Sequence, residues 1–195
     1  MNSKKKIKKG KNIPAKAKRV FRGVIFDVWQ WKQKMFDGSV EIFEKLRRPD
    51  TVNVIPVIGN KIMILKQRQP DWKKEKTSLA GGRIDEGEKP LAAAKRELLE
   101  ETGYASKNWT LWKEQNPSEK MVWTIYTYIA RSCYFKQPPH LDAGEKIKTK
   151  LISFDGFIMF SENPDFYEGE IKSSILRARF DKKFRDELYN LFFKK

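Results

Sequence analysis

Apolar and polar residues partly alternate through residues 24–35 (VIFDVWQWKQKM), the period of a half-buried β-strand, and two tryptophans add to its strand preference. Asp37-Gly38 follows, a dipeptide that supplies the positive φ angles of a tight hairpin turn, so residues 39–46 are predicted to return along the first strand. Residues 52–58 (VNVIPVI) and 61–66 (KIMILK), joined by the turn signal Gly59-Asn60, extend this into a meander of four strands. Residues 69–76 read as a polar loop and the Gly-rich residues 78–87 as irregular. The strongest helix signal comes next, in KPLAAAKRELLEET: Pro90 suits a first helical turn, good helix formers follow, and Gly103 stops the run. Further strands are predicted at 109–113, at 121–135 as one long aromatic strand, and at 148–154. Between the last two, residues 137–144 form a loop with two prolines and the sole histidine, His140, to which no chemistry is assigned. Ile175, Leu176, Phe180, Phe184, Leu188 and Leu191 recur at roughly helical spacing, so residues 171–193 are predicted to be one terminal helix. This order predicts an α+β domain with a mixed sheet between helices.

Composition narrows the class. The chain has 195 residues, 39% of them hydrophobic, enough for one buried core and too many for a wholly disordered chain. Its longest uncharged runs, 51–60 and 121–130, fall well short of the ~20 apolar residues of a spanning helix, so no membrane partner is expected. The single cysteine, Cys133, excludes an intramolecular disulfide framework and a Cys-based metal site. With no apolar h-region near the start, it points to a reducing, cytoplasmic setting. The net charge is +16, but residues 1–22 contain ten Lys or Arg and no acidic residue, leaving +6 on the rest. Such a block reads as a flexible, solvated tail; weak, non-specific contact with nucleic acid through counterion release is the alternative. The organisation predicted is a basic tail (1–22), an N-terminal β-hairpin (23–50) and a main domain (51–195).

The helix around Arg96 carries the candidate chemistry. Glu97, Glu100 and Glu101 are spaced i, i+3, i+4, which places them within an arc of about 100° on one face. Leu91, Leu98 and Leu99 lie on the other side with Ala92 and Thr102. Like charges at i, i+4 destabilise a helix by a few tenths of a kcal/mol, and only Arg96 stands beside them. A divalent cation resolves the conflict, because carboxylate oxygens are hard ligands suited to Mg²⁺ or Mn²⁺ and such ions are shared with substrate phosphates. Gly81-Gly82 and Gly87 let main-chain groups approach the same site, and Glu88 stands where it can join the metal shell or hold Arg96. Without further context, an ordinary charged surface is the competing explanation.

Residues 82–104, GRIDEGEKPLAAAKRELLEETGY, resemble the Nudix box, Gly-x5-Glu-x7-Arg-Glu-U-x-Glu-Glu-x-Gly-U with U a bulky apolar residue. The match runs through Gly82, Glu88, Arg96, Glu97, Leu98, Glu100, Glu101, Gly103 and Tyr104, the last aromatic where an aliphatic is usual. At average residue usage such a set arises by chance roughly once in 10⁹ starts. The resemblance implies a Nudix-type α/β/α sandwich around a mixed β-sheet, here with an N-terminal β-hairpin extension. It also implies hydrolysis of a nucleoside diphosphate linked to another group, with Mg²⁺ or Mn²⁺ as cofactor. By the same resemblance Glu97, Glu100 and Glu101 are metal ligands, the Gly81 carbonyl and Glu88 add to the set, and Arg96 orients the carboxylates.

Outside the box the chain resembles the ADP-ribose and nucleoside-diphosphate-sugar pyrophosphatase branch. There the N-terminal hairpin builds a homodimer and part of the nucleotide pocket. The stretch from Arg48 to Val57, followed by Lys66-Gln67-Arg68-Gln69-Pro70, resembles that branch's strand pair ending in Gln-Tyr-Arg-Pro. Pro117 lies near the proline that marks ADP-ribose enzymes. Gln69 stands where the branch has arginine, Ser78 where it usually has glutamate, and the context of Pro117 is reduced to Pro117-Ser118-Glu119. The resemblance implies cleavage of ADP-ribose to AMP and ribose 5-phosphate. Other sugar nucleotides, capped RNA, dinucleoside polyphosphates and NADH are alternatives, and a nucleic-acid-binding protein on the same scaffold is the reading from another class. Arg48 and Gln69 are candidate substrate contacts. Glu145 is a candidate general base, set against an ordinary surface role. Trp29 and Trp31 are candidates for stacking on adenine, set against packing in the hairpin or a dimer.

Overall fold

The computed structural model describes residues 13–194, so residues 1–12 of the basic leader lie outside the described residues. The chain divides into two compact units. One holds the described chain through Asp50 together with Asn116–Thr124, and the other holds Thr51–Gln115 with the chain from Ile125 onward.

In the first unit, β1 (Lys18–Arg22), β2 (Asp27–Lys34) and β3 (Val40–Arg47) form an antiparallel sheet in that order. A short strand, Met121–Val122 (β10 in chain order), adds to β3 in parallel. The predicted turn is present: Gly38 has φ 89°, and the Asp37 carboxylate accepts from the Ser39 amide (3.0 Å) and hydroxyl (2.7 Å). The charge pattern predicts Lys18–Arg22 as part of the flexible tail. They are instead an edge strand, because Lys18 and Arg19 register against Gln30 and Trp29, while Ile13 and Ala17 bury against Trp29 and Trp31.

The second unit is built on β4 (Thr51–Ile58), β5 (Lys61–Arg68), β6 (Lys76–Ser78), β7 (Ala80–Arg83), β9 (Asn108–Gln115), β11 (Ile125–Arg131) and β13 (Lys146–Ile152). The sheet runs β13-β5-β4-β11-β9, with β6 on β5 and β7 on β4. It is mixed: β11 lies parallel to β4, and its other neighbours pair antiparallel. β4 changes partner along its length, from β7 at residues 51–54 to β5 at 57–58. Pro56, which has no N–H to give a ladder, sits between those two registers. Tyr104–Ala105 (β8) and Tyr134–Phe135 (β12) form a separate two-stranded ribbon.

Period-2 alternation on the central strands separates two cores. Val52, Val54, Leu65, Tyr128 and Ala130 face α1 (Pro90–Thr102), packing on Ala93, Ala94 and Leu98. Ile55, Val57, Ile62, Ile64 and Ile129 face the other way, onto α2 (Phe154–Ile158), α3 (Gly169–Phe180) and α4 (Lys182–Phe193). The architecture is therefore an α/β/α sandwich around a mixed sheet.

Several predicted elements differ from those observed. Residues 78–87 contain β7 and the end of β6, because the glycines pair with β4 instead of forming an open loop. The long strand at 121–135 is three strands. It breaks at Trp123–Thr124, where the Thr124 amide donates to Asp50 Oδ1 (2.7 Å), and again at Ser132, with φ 52°. The last predicted strand starts and ends earlier, leaving Phe154 to open α2 behind the Ser153 cap. The terminal helix is two helices, because Asp181 is extended and its carboxylate accepts the Phe184 amide (2.9 Å), starting α4 afresh. Cys133 is buried with its thiol pushed up to about 11 by desolvation, which makes it an inert core residue. Among the described residues no helix is long and apolar enough to cross a membrane.

Candidate active site

α1 forms where its sequence demands. Pro90 occupies the first turn, and Gly103 closes the helix at φ 75° with its amide on Leu99 O (2.8 Å). A Cβ on residue 103 would stand 2.0 Å from Gln137 O, so only glycine fits there. The early stop leaves Glu100 and Glu101 in the last turn with no basic residue beside them in that turn. Negative charge at a helix C-terminus opposes the macrodipole, so this placement costs stability and calls for a compensating positive charge.

Arg96 supplies part of it. Its guanidinium grips Glu88 at two points (3.1 Å each) and donates to Glu97 Oε1 (2.8 Å), Glu100 Oε2 (3.1 Å) and the Arg83 carbonyl (3.0 Å). The fork saturates the side chain's donors, holds the Glu88 carboxyl below the usual range and raises the guanidinium's own value. Glu101 lies outside this grip. It is 7% exposed, Oε2 accepts the Gly81 amide (2.7 Å), and burial pushes its carboxyl well above the ordinary value, with the charges of Glu97, Glu145 and Glu168 adding to the effect. Burial likewise raises Glu97.

The glycines of β7 bring main chain and carboxylates together. Gly81 registers against Asn53, and a Cβ on it would lie 2.1 Å from the Val52 carbonyl. At Gly82 a Cβ would fall 2.4–2.8 Å from the Glu97 carboxylate. Glu145 stands in the turn before β13, where its amide donates to Asp142 O (2.9 Å) and its carboxylate accepts the Asp142 amide (3.3 Å). Burial raises its carboxyl, and its charge acts on Glu97 and Glu101. The second unit thus brings Gly81, Glu88, Arg96, Glu97, Glu100, Glu101 and Glu145 together. Among the described residues no three His, Cys, Asp or Glu side chains are grouped to grip a metal ion, and Arg96 is paired with both Glu97 (2.8 Å) and Glu100 (3.1 Å).

The other sequence candidates lie elsewhere. In the first unit Trp29 and Trp31, each 7% exposed, pack with Ile13 and Ala17, and Arg48 lies over the Trp123 ring (4.4 Å) and near Phe26 (5.8 Å). In the second, Gln69 is half-buried and its carbonyl accepts the Trp72 amide (3.0 Å).

Glu168, Glu170 and Asn53 carry no signal in the sequence. Glu168, 3% exposed, accepts the Leu79 amide at Oε1 (2.8 Å), and Glu170 accepts from the side chain of Asn53. Burial pushes both carboxyls upward. No local spacing announces them; acidic residues near the start of a helix are ordinary.

The NUDIX domain family profile matches residues 47–168, more than half of the chain. An ADP-ribose pyrophosphatase of Bacillus subtilis is 22% identical over 163 residues, covering 80% of this chain and 86% of that protein. A methanol dehydrogenase activator of Bacillus methanolicus is 24% identical over 159 residues, covering 80% and 85%. A crystal structure of an ADP compounds hydrolase superposes with a TM-score of 0.72 at 21% identity, covering 88% of this chain and 94% of that one. With the family match spanning β4, β5, the glycines of β7 and the acidic helix α1, this chain belongs to the NUDIX domain family, as a Nudix hydrolase.

Proposed function

We propose that the protein is a divalent-metal-dependent hydrolase that splits the pyrophosphate of a nucleoside diphosphate sugar, ADP-ribose foremost, giving AMP and ribose 5-phosphate. The observation that carries this reading is the set of carboxylates on the last turns of α1, crowded, partly buried and short of positive charge. The similarity to an ADP-ribose pyrophosphatase supports the choice of substrate.

The donor set fits Mg²⁺ or Mn²⁺. All the side-chain donors are hard oxygens, Glu101 keeps one oxygen beyond its bond to Gly81, and Gly82 leaves the Glu97 carboxylate room that a Cβ would fill. Glu97, Glu100 and Glu101 would hold the ion, with the Gly81 carbonyl beside them. When bound, such a cation screens pyrophosphate charge and lowers the pKa of a coordinated water. The protein supplies the rest. Arg96 keeps Glu88 fixed and, through its bonds to Glu97 Oε1 and Glu100 Oε2, orients those two carboxylates. Glu145, its carboxyl raised by burial, takes the proton of the attacking water. No covalent intermediate is required.

The test is a panel of ADP-ribose, other sugar nucleotides, NADH and dinucleoside polyphosphates, each with Mg²⁺, with Mn²⁺ and with chelator. The expected result is ADP-ribose consumption with AMP and ribose 5-phosphate in equal amounts, abolished by chelation. Undiminished turnover in chelator, or no cleavage of any member, overturns the reading.

A homodimer and a cytoplasmic location belong to the same proposal. Val20 (54% exposed), Phe21, Val40 and Ile42 (58% each) give the first unit's sheet apolar surface for a second copy to cover. Sedimentation equilibrium is expected to return twice the 23.0 kDa chain mass, and a monomer at micromolar concentration would dismiss it. Burial of Trp29 and Trp31 favours packing over adenine stacking for both. Arg48 and Gln69 stay candidate substrate contacts, and residues 1–22 a weak nucleic-acid contact.

A further inference from the structure

Residues 165–170, between the short 3-10 helix Met159–Glu162 and the body of α3, fasten onto β6, onto Leu79 and onto β4, the strand that pairs with the glycines of β7. The Thr77 amide donates to Asp165 O (2.9 Å) and the Tyr167 amide to Thr77 O (2.9 Å), while Thr77 and Phe166 form a parallel bridge. Glu168 then accepts the Leu79 amide (2.8 Å), and Glu170 takes the side chain of Asn53, the residue that registers against Gly81. Leu79 is the one residue between β6 and β7. Two positions later the Gly81 amide holds Glu101 (2.7 Å).

A carboxylate is a costly way to cap one amide here. Glu168 is 3% exposed, its Oε2 has no hydrogen-bond partner among the described residues, and it makes no side-chain cap for α3. Lys172, the cation whose field reaches it, gives its ammonium to Asn163 O (2.9 Å). Phe166 on one side and Ile171 on the other are core residues, so packing alone would be served better by an apolar side chain.

We propose that Glu168 is a positioning residue for the hydrolase site: by holding the Leu79 amide it fixes the crossover from β6 to β7, and through it the Gly81 main chain that orients Glu101. The proposal rests on the reading of Glu101 and Gly81 as parts of the metal site. It assigns to the segment after the second core a role in setting the geometry of α1's carboxylates on the far side of the sheet.

The test compares Glu168→Met, which fills the volume without an acceptor, with Glu168→Gln, which keeps one, both in the full chain. Thermal unfolding, calorimetric titration with Mn²⁺ alone, and kcat and KM for ADP-ribose are measured on each. Glu168→Met is expected to stay folded while Mn²⁺ affinity and kcat each fall about 10- to 100-fold, the loss usual when a group supporting a metal ligand is removed. KM is expected to move little, and Glu168→Gln to restore both quantities to within about threefold of wild type. A folded Glu168→Met with wild-type Mn²⁺ affinity, or a Gln variant as impaired as the Met variant, overturns the proposal. If Glu168→Met does not fold, Glu168→Asp, one methylene short of Leu79, is held to the same outcomes. A wild-type protein that takes up no Mn²⁺ overturns the functional reading and this inference together. Wild-type uptake and turnover with indifferent variants overturns this inference alone.

Discussion

Exchanging Glu101 for glutamine is expected to lower kcat about 10³-fold without unfolding the protein. Glutamine keeps the volume and an oxygen for the Gly81 amide (2.7 Å), so only the charge is lost. That charge sits 7% exposed, in a low-dielectric site where its interaction with the proposed cation would be strong. A metal ion supplies several kcal/mol of charge stabilisation in such reactions, and about 4 kcal/mol corresponds to the stated factor. Stability is expected to hold or rise, because a buried carboxylate whose carboxyl is pushed well above its ordinary value is replaced by a neutral amide. Glu100→Gln is expected to act in the same direction with a smaller loss, since Glu100 is 44% exposed and already shares Arg96. Steady-state kinetics with Mg²⁺ and Mn²⁺, alongside thermal unfolding of the same preparations, decides it. Turnover of Glu101→Gln within tenfold of wild type would remove that carboxylate from the reaction.

Phe157→Ala is expected to cost about 3–5 kcal/mol of stability, the range for truncating a buried phenylalanine. Phe157 on α2 is fully buried, with its ring against Phe192 (5.8 Å), Phe160 and Phe166 (6.4 Å each). These contacts tie α2, α4 and the 3-10 helix to the residues that lead into Glu168. Against a typical total of about 5–15 kcal/mol for a domain, the loss is large. In urea it should appear as a lower midpoint with an unchanged slope. A change below about 1 kcal/mol would contradict the packing described for this layer. Activity of the surviving folded fraction reports a second quantity, whether loosening Phe166 disturbs the Leu79–Glu168 bond.

Legibility in the sequence followed the range of the interactions involved. α1, its stop at Gly103, the turn at Asp37-Gly38 and the central strands could be read directly, because each depends on spacing within a few residues. Aromatic content alone joined 121–135 into one strand, although Thr124 is held by Asp50, 74 positions away. Helical spacing joined 171–193 into one helix, since periodicity carries no sign of an aspartate turned into a cap. Charge alone extends the basic tail to residue 22, because it says nothing of Trp29 and Trp31, whose burial with Ile13 and Ala17 accompanies β1.

For the site the division is sharper. The chain by itself determined the identity and spacing of Glu88, Arg96, Glu97, Glu100 and Glu101, because a helix converts i, i+3, i+4 into one face whatever surrounds it. Only the tertiary structure decided that Glu101 is buried against Gly81, that Glu145 joins the acidic cluster, and that Glu168 meets Leu79 across 89 positions and Glu170 meets Asn53 across 117. The reason is physical: local spacing sets where a side chain points, whereas burial and pairing arise when strands and helices distant in the chain close on a common core and leave particular polar groups no water to turn to.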